Sequence, residues 1–182
     1  MRFYTVKQEH QLTIFISLDG GQTAYPAPGL GLNFDDLNAL IKNFKPQLVD
    51  QIKAAVSPNG SGTNGLLTPL PLKDLVLAAP IVHPLQDVIC LGINYDEHAK
   101  EAGKFSREAF GGERPYTIYF SKRVNEATAP KGTIPSYTGL VDSLDYEAEL
   151  GVVLGRDAKA LKPEEVQNYI FGYLVINDVS AR

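Results

Sequence analysis

Two glutamates one residue apart are the first side chains whose types and spacing could do chemistry. Glu147 and Glu149 lie in residues 145–154, where polar and apolar residues alternate. Alternate residues of a β-strand share a face, so the two Cα atoms would lie about 6.5–7 Å apart with both carboxylates on one side. This spacing suits two ligands of one hard cation, and it is also typical of a solvated polar face. The opposite face would carry the apolar set Tyr146, Ala148, Leu150, Val152 and Leu154.

An aspartate after the next apolar run could add a third carboxylate. Residues 171–176 predict a buried strand, and Asn177 and Asp178 come directly after it. Asp178 could join the two glutamates, or it could cap a turn or a helix. Three carboxylates in a chain with a single cysteine would favour Mg²⁺, Mn²⁺ or Ca²⁺ over zinc.

A histidine and a glutamate offer acid–base chemistry. His98 and Glu101 are three residues apart in a polar stretch that predicts a short helix over residues 96–102, so they would share a helix face. Histidine has the free pKa nearest to neutrality, which makes His98 a natural general base. The alternative is an exposed surface pair. His10 and His83 are expected to be structural or merely exposed.

The first part of the chain must form a small α+β module. Its pattern predicts a hairpin of residues 3–6 and 12–16 joined by the polar residues 7–11. Asn33 is predicted as the N-cap of an amphipathic helix, and Pro46 as the first residue of a second helix. Residues 57–65 have the composition of a linker, which places a domain boundary there or near residue 80.

Short strands must position the chemistry-bearing residues in the second part. Apolar runs predict buried strands, and Pro163 begins a short helix between the last two of them. A Gly- and charge-rich stretch, residues 103–115, predicts a surface loop. The predicted strands are residues 75–77, 88–91, 117–120, 146–154 and 171–176. The mixture indicates an α+β, mainly β fold rather than a doubly wound sheet.

Length and composition exclude several classes of protein. The 182 residues are 44% hydrophobic and 21% charged, which is typical of a globular chain and not of a disordered one. The net charge of −4 gives no basic stripe for nucleic acid. No apolar run reaches the ~18–20 residues of a membrane span, and one cysteine excludes an internal disulfide framework. We therefore expect a soluble, cytoplasmic protein.

Taken together, these motifs resemble the fumarylacetoacetate hydrolase family. The resemblance covers residues 85–182 and follows the family's order of motifs. The matching fragments are Gly92-Ile93-Asn94-Tyr95-x-x-His98-x-x-Glu101, Phe120-Ser121-Lys122, Asp145-Tyr146-Glu147-x-Glu149-Leu150 and Gly172-Tyr173-x-x-x-Asn177-Asp178-Val179-Ser180-Ala181-Arg182. Residues 1–80 then resemble the small N-terminal module of many members, and residues 81–182 the first part of the catalytic domain.

The resemblance implies a fold and a site. The fold would be a mixed β-sandwich roll like the family's C-terminal domain. Glu147, Glu149 and Asp178 would bind Mg²⁺, or Mn²⁺ or Ca²⁺, while His98 and Glu101 would activate water or move protons from a lid-like helix. Tyr95 and Lys122, which lie in the matching fragments, are expected to contact the substrate, and so are Arg107 and Arg114 of the loop 103–115, which is longer here than in the compact members. Most members are homodimers, so a homodimer is expected here.

The same resemblance implies an activity. Family members hydrolyse a C–C bond in acylpyruvates or fumarylacetoacetate, decarboxylate oxaloacetate, or isomerise and decarboxylate products of aromatic catabolism. We expect hydrolysis or decarboxylation of a small 2-oxo or 1,3-diketo acid, with an isomerase of dioic acids as the alternative.

Family members also continue beyond the position of Arg182, into strands that complete the roll and a lysine that helps to hold the substrate. A second alternative is therefore a truncated, catalytically incomplete chain. Such a chain would expose Val152, Val175 and Ile176.

Replacing His98 tests the acid–base assignment. We expect His98→Ala to abolish turnover in the complete enzyme while cation binding persists, because His98 lies outside the carboxylate set. General acid–base groups contribute about 10²–10⁴-fold to the rate. Turnover and cation titration of the variant are compared with those of His10→Ala. A loss below about tenfold would make His98 a bystander.

Overall fold

The computed structural model describes residues 1–57, 67–92 and 116–181. The chain divides into two compact units, one of Met1–Val82 with Thr128–Arg182 and one of His83–Ala127. These compact units are not the two predicted sequence modules, residues 1–80 and 81–182. The boundary at residue 80 stays a prediction. The predicted helix 96–102, the loop 103–115 and most of the linker 57–65 lie outside the described residues.

Short strands dominate the described residues, and helices are few. The strands are β1 (Arg2–Gln8), β2 (Gln11–Ser17), β3 (Thr23–Pro26), β4 (Leu70–Pro71), β5 (Val88–Gly92), β6 (Ile118–Lys122), β7 (Leu144–Asp145), β8 (Ala148–Leu154), β9 (Ile170–Asn177) and β10 (Ser180–Ala181). The helices are α1 (Leu37–Lys42) and α2 (Pro46–Ala55), with 3₁₀ turns at Ala27–Leu30, Leu72–Asp74 and Pro163–Asn168. The predicted α+β, mainly β fold class is confirmed.

Strands β1 to β4 form one antiparallel sheet in sequence order. The predicted N-terminal hairpin is present, but its strands extend until Gln8 pairs with Gln11. Only two residues therefore connect them, because the polar residues expected to form the connection can pair at the exposed end of a ladder. Glu9, at the turn, takes a positive φ of 48°.

The turn between β2 and β3 is built around one carboxylate. Asp19 accepts hydrogen bonds from the Thr23 hydroxyl at 2.7 Å, the Thr23 amide at 2.9 Å and the Ser17 hydroxyl at 2.8 Å. The Gln22 amide donates to it as well, at 2.9 Å. The bonds from Thr23, followed by the bond from Ser17, hold the pKa of the Asp19 carboxyl well below its usual range. The ionised side chain thus gathers the donors that close the turn.

The first residues of the two helices are set by a proline and by a capping aspartate. Pro46 opens α2, as predicted. The predicted cap of the first helix is wrong: the N-cap of α1 is Asp36, whose carboxylate accepts from the Ala39 amide at 2.7 Å, and not Asn33. Both residue types can cap, but a cap accepts from an amide two or three residues further on, and α1 begins only at Leu37. Within the described residues, neither helix is long and apolar enough to cross a membrane.

The core of the first unit lies between the sheet and the helices. Because β2 is buried on both faces, its alternate residues enter two clusters. The larger cluster contains Ile14, Ile16, Ala27, Leu32, Leu37, Leu40, Ile41 and Ile52, and the smaller one Val6, Phe15 and Ala24.

Two apolar runs differ from their predictions as buried strands. Residues 75–77 form an irregular segment held to β1 by the Lys7 amide, which donates to the Val76 carbonyl at 2.8 Å, and by one bridge from Val6 to Leu77. Strand β5 exists in the second unit, but Ile89 on it is 66% exposed. The apolar composition predicted the strand correctly, but not the exposure of its side chains.

A second hairpin, β8 with β9, is anchored on this core by aromatic packing. The Phe171 ring lies 5.3 Å from the Phe3 ring and 5.1 Å from the Phe44 ring, centroid to centroid. The Phe44 contact is edge-to-face, a favoured aromatic geometry. Val153 of β8 also packs against the larger cluster. One end of the hairpin is thereby fixed to the N-terminal residues.

Removing the Phe171 ring should loosen this attachment. We expect Phe171→Ala to lower the free energy of unfolding by about 3 kcal/mol, near the lower limit for a Phe→Ala change because the ring is partly buried. Tyr173→Ala is the matched control, since this ring is 56% exposed on the same strand. Chemical denaturation of both variants measures the difference. An equal cost for the two would contradict the anchoring role.

Candidate functional site

The hairpin places the predicted carboxylates through its register. Ala148 of β8 pairs with Asn177 of β9, and three residues further out Asp145 of β7 pairs with Ser180 of β10. Both pairs follow the same antiparallel register, with no residue gained or lost between them. One step out from Ala148 and Asn177, Glu147 therefore lies opposite Asp178, and the Asp178 amide donates to the Glu147 carbonyl at 2.8 Å.

The glutamates lie on the less exposed face of the hairpin. Burial alternates along β8, where Glu149 and Val153 are half-buried and Gly151 is buried. Asp178 and Ile176 are half-buried on the paired strand. The sequence predicted correctly which residues share a face. The apolar face is the open one, with Val152 51% and Val175 83% exposed, whereas Ile176 is half-buried because it packs over Gly151.

The backbone brings the three carboxylate positions together. Directly opposite residues that share a ladder bond have Cα atoms about 5.5 Å apart, which applies to Glu147 and Asp178. Glu149 lies about 6.5–7 Å from Glu147 along its strand, and the diagonal from Glu149 to Asp178 is about 7–8 Å. Within the described residues, however, no group of three or more His, Cys, Asp or Glu side chains is gathered closely enough to hold a metal ion. The carboxylates would have to turn towards one another to share a cation.

The strand that carries the glutamates is interrupted beside them. The predicted continuous strand 146–154 is wrong at its start, because β7 ends at Asp145 and β8 begins at Ala148. At the interruption the Glu147 amide donates to Asn177 Oδ1 at 3.1 Å. The Asn177 side chain thus takes part in the strand pairing. The alternation pattern had predicted hydrogen bonds between backbone groups only.

A fourth carboxylate occupies the same face. Asp145 is half-buried and lies two residues before Glu147, opposite Ser180. Alternation along the strand would have pointed to it, since it continues the spacing of the two glutamates. Four acidic positions on one face form a donor set of oxygen ligands only, which is the chemistry that Mg²⁺, Mn²⁺ and Ca²⁺ prefer.

The remaining predicted site residues lie either outside the described residues or in the second unit. His98, Glu101, Tyr95, Arg107 and Arg114 lie outside the described residues, so their roles stay predictions. Lys122 is the last residue of β6 in the second unit, half-buried and paired with Val88. Its substrate contact stays a prediction too.

Comparison with known proteins identifies the family. Residues 87–182, more than half of the chain, match the family model described as fumarylacetoacetate (FAA) hydrolase C-terminal. The chain therefore belongs to the fumarylacetoacetate hydrolase family, as the motifs indicated. Its relatives in the family include enzymes, namely hydrolases, isomerases and a tautomerase.

Individual relatives agree with this assignment. The oxaloacetate tautomerase YisK of Bacillus subtilis is 36% identical over 111 residues, which are 61% of this chain and 35% of that protein. The fumarylacetoacetate hydrolase of Exiguobacterium antarcticum has a TM-score of 0.65 and 26% identity, covering all of this chain and 57% of that one. The fold is shared with a maleylpyruvate hydrolase from Sphingobium sp. SYK-6, solved with manganese(II) and pyruvate, at a TM-score of 0.69, 20% identity and coverage of 100% and 60%.

The chain is shorter than the proteins it matches. An uncharacterised protein of Staphylococcus saprophyticus is 27% identical over the whole of this chain, which spans 60% of that relative's length. The chain likewise spans about a third to three fifths of the other relatives named above.

A side chain added to Gly151, on the face of the glutamates, would crowd its neighbours. A Cβ added to Gly151 would lie 2.6 Å from Ile176 Cδ1 and 3.0 Å from Leu174 Cδ2, so we expect Gly151→Ala to cost about 1 kcal/mol of stability through overpacking. Gly172→Ala is the control, because a Cβ there meets nothing within 4 Å. Its effect should stay within about 0.5 kcal/mol. Equal thermal shifts for the two variants would refute the close packing.

Proposed function

We propose that this chain forms part of an enzyme that acts on a small 2-oxo or 1,3-diketo acid with the help of a divalent cation, by C–C hydrolysis or decarboxylation. The observation that carries the proposal is the hairpin register, which sets Glu147 opposite Asp178 with Glu149 on the same half-buried face. This arrangement lies within the segment that matches the family.

Glu147, Glu149 and Asp178 would hold Mg²⁺, Mn²⁺ or Ca²⁺. A divalent cation bound there supplies positive charge against the negative charge that develops on a substrate oxygen when the C–C bond breaks. The three carboxylates contribute oxygen ligands only and leave coordination positions for a chelating substrate. Partial burial of their face strengthens the attraction between carboxylates and cation, because the local dielectric is below that of water.

Protons must be moved by other residues of the chain. His98, with Glu101 orienting it, would remove a proton from the attacking water in a hydrolase, or deliver one to the substrate carbon in a decarboxylase. Tyr95, Lys122, Arg107 and Arg114 would contact the substrate, and the three cations among them would suit its carboxylate. We further propose a cytoplasmic homodimer that binds neither nucleic acid nor membranes.

A second activity has a specific observation in its favour. The 36% identical relative from Bacillus subtilis is named as an oxaloacetate tautomerase. Tautomerisation also builds negative charge on the oxygen of a 2-oxo acid, but no C–C bond breaks and only a proton moves. The same carboxylate face could serve that reaction, so we keep tautomerisation or isomerisation of a 2-oxo acid as the alternative function.

Assays on two substrates separate these reactions. The purified chain is incubated with acetylpyruvate and with oxaloacetate, with and without Mg²⁺ or Mn²⁺. Pyruvate and acetate from acetylpyruvate indicate C–C hydrolysis, and pyruvate with carbon dioxide from oxaloacetate indicates decarboxylation. A change in the enol absorbance of oxaloacetate without pyruvate indicates tautomerisation. A rate that chelation of the cation leaves unchanged would overturn the proposal in all its forms.

Mn²⁺ binding tests the carboxylates independently of turnover. We expect Glu149→Gln to weaken Mn²⁺ binding by about 10-fold or more, because even partners of metal ligands typically contribute 10–100-fold. The control is Glu164→Gln, a carboxylate in the exposed 3₁₀ turn Pro163–Asn168. The free Mn²⁺ signal in electron paramagnetic resonance gives both dissociation constants. Equal affinities in the two variants would remove Glu149 from the site.

A further inference from the structure

Asn177 occupies a particular place in the hairpin. It is the last residue of β9, pairs with Ala148 and directly precedes Asp178. Its side-chain oxygen Oδ1 accepts a hydrogen bond from the Glu147 amide at 3.1 Å. Asn177 therefore touches the backbone of one proposed ligand while it is covalently joined to another.

This hydrogen bond replaces part of the expected ladder. In a regular antiparallel pair whose residues exchange hydrogen bonds, the Asp178 amide would donate to the Glu147 carbonyl and the Glu147 amide to the Asp178 carbonyl. The first bond is present at 2.8 Å. Among the bonds between described residues, the Glu147 amide donates to the Asn177 side chain, and the Asp178 carbonyl accepts from the Ser180 hydroxyl at 3.5 Å.

The replacement coincides with the break between the β8–β9 ladder and the β7–β10 ladder, which follow one register. β8 and β9 pair on one side of it, and β7 and β10 on the other, with no residue gained or lost between them. A bulge, which adds a residue to one strand, would shift the register. The interruption is therefore made by redirecting an amide, and it falls on the pair Glu147 and Asp178.

We propose that Asn177 is a positioning residue of the cation site, which fixes the backbone of Glu147 so that its carboxylate faces that of Asp178. The inference rests on the proposed function of these carboxylates. The amide side chain suits this role, since its oxygen accepts without adding a further negative charge beside the acidic face. An aspartate would make the same bond and add a charge, and an alanine would make none.

The test compares Mn²⁺ affinity in four proteins: the unchanged chain, Asn177→Ala, Asn177→Asp and the control Asn168→Ala. Asn168 ends the exposed 3₁₀ turn at the opposite end of the hairpin. We expect Asn177→Ala to bind Mn²⁺ about 10-fold more weakly, the lower limit for partners of ligating side chains, because Asn177 bonds the Glu147 backbone and not its carboxylate. Asn177→Asp should bind at least as tightly as the unchanged chain, and Asn168→Ala equally tightly.

Hydrogen exchange at the Glu147 amide gives a readout that general destabilisation would not reproduce. Its protection should fall in Asn177→Ala before cation is added and be retained in Asn177→Asp, while amides of β1 and β2 stay unchanged. The aspartate variant decides the matter even if the alanine variant does not fold, because loss of Mn²⁺ binding in a folded Asn177→Asp overturns the inference.

The outcomes separate this inference from the proposed function. An unchanged chain that does not bind Mn²⁺ overturns both, since there is then no cation site to position. Mn²⁺ binding by the unchanged chain with equal affinity in Asn177→Ala overturns the positioning role alone. Weaker binding in Asn177→Ala that Asn177→Asp restores supports it.

Discussion

The register of one antiparallel hairpin is the constraint on which the candidate site depends. Side chains of a strand alternate with period two, so a slip of one residue between β8 and β9 would carry every side chain of one strand to the other face. The glutamates would then no longer share a face with Asp178. Packing anchors one end, where Phe171 and Val153 contact the N-terminal core and the register shifts by one residue between Val153 and Leu154. Hydrogen bonds hold it at the other end, where Glu147 meets Asp178 and Asn177.

The N-terminal residues therefore support the hairpin that carries the candidate site. A two-stranded hairpin alone is marginally stable in water. Attachment through the Phe3, Phe44 and Phe171 rings gives this one a fixed end on a sheet that two helices cover. The carboxylates lie at the far end of the hairpin from that attachment, and their face is only half-buried. The proposed cation would therefore lie on a face that is partly open, while the strands carrying its proposed ligands are anchored at the other end.

The sequence was sufficient for features that depend on local periodicity. Alternation predicted that Glu147 and Glu149 share a face, and proline at the first helical position predicted the start of α2. It was insufficient where a side chain competes with the backbone or where burial is decided by distant residues. Asn33 and Asp36 are both able to cap, and only the position of the Ala39 amide selects Asp36. Alternation also could not tell that the apolar face of β8 would be the more exposed one, because what covers a strand is set by other parts of the chain.

Hydrolysis, decarboxylation and tautomerisation of 2-oxo acids all place negative charge on the same kind of oxygen. A carboxylate-held cation lowers the cost of that charge in each case, so the hairpin by itself does not choose between the reactions. The choice must depend on where protons are added or removed and on whether water reaches the carbonyl carbon. In the proposed function those tasks would fall to His98, Glu101 and the basic residues of 103–115, which the sequence places outside the hairpin. On this proposal the carboxylates that would hold the cation and the residues that would move protons lie in separate segments of the chain, so a change in the second set could alter the reaction while the first set stays as it is.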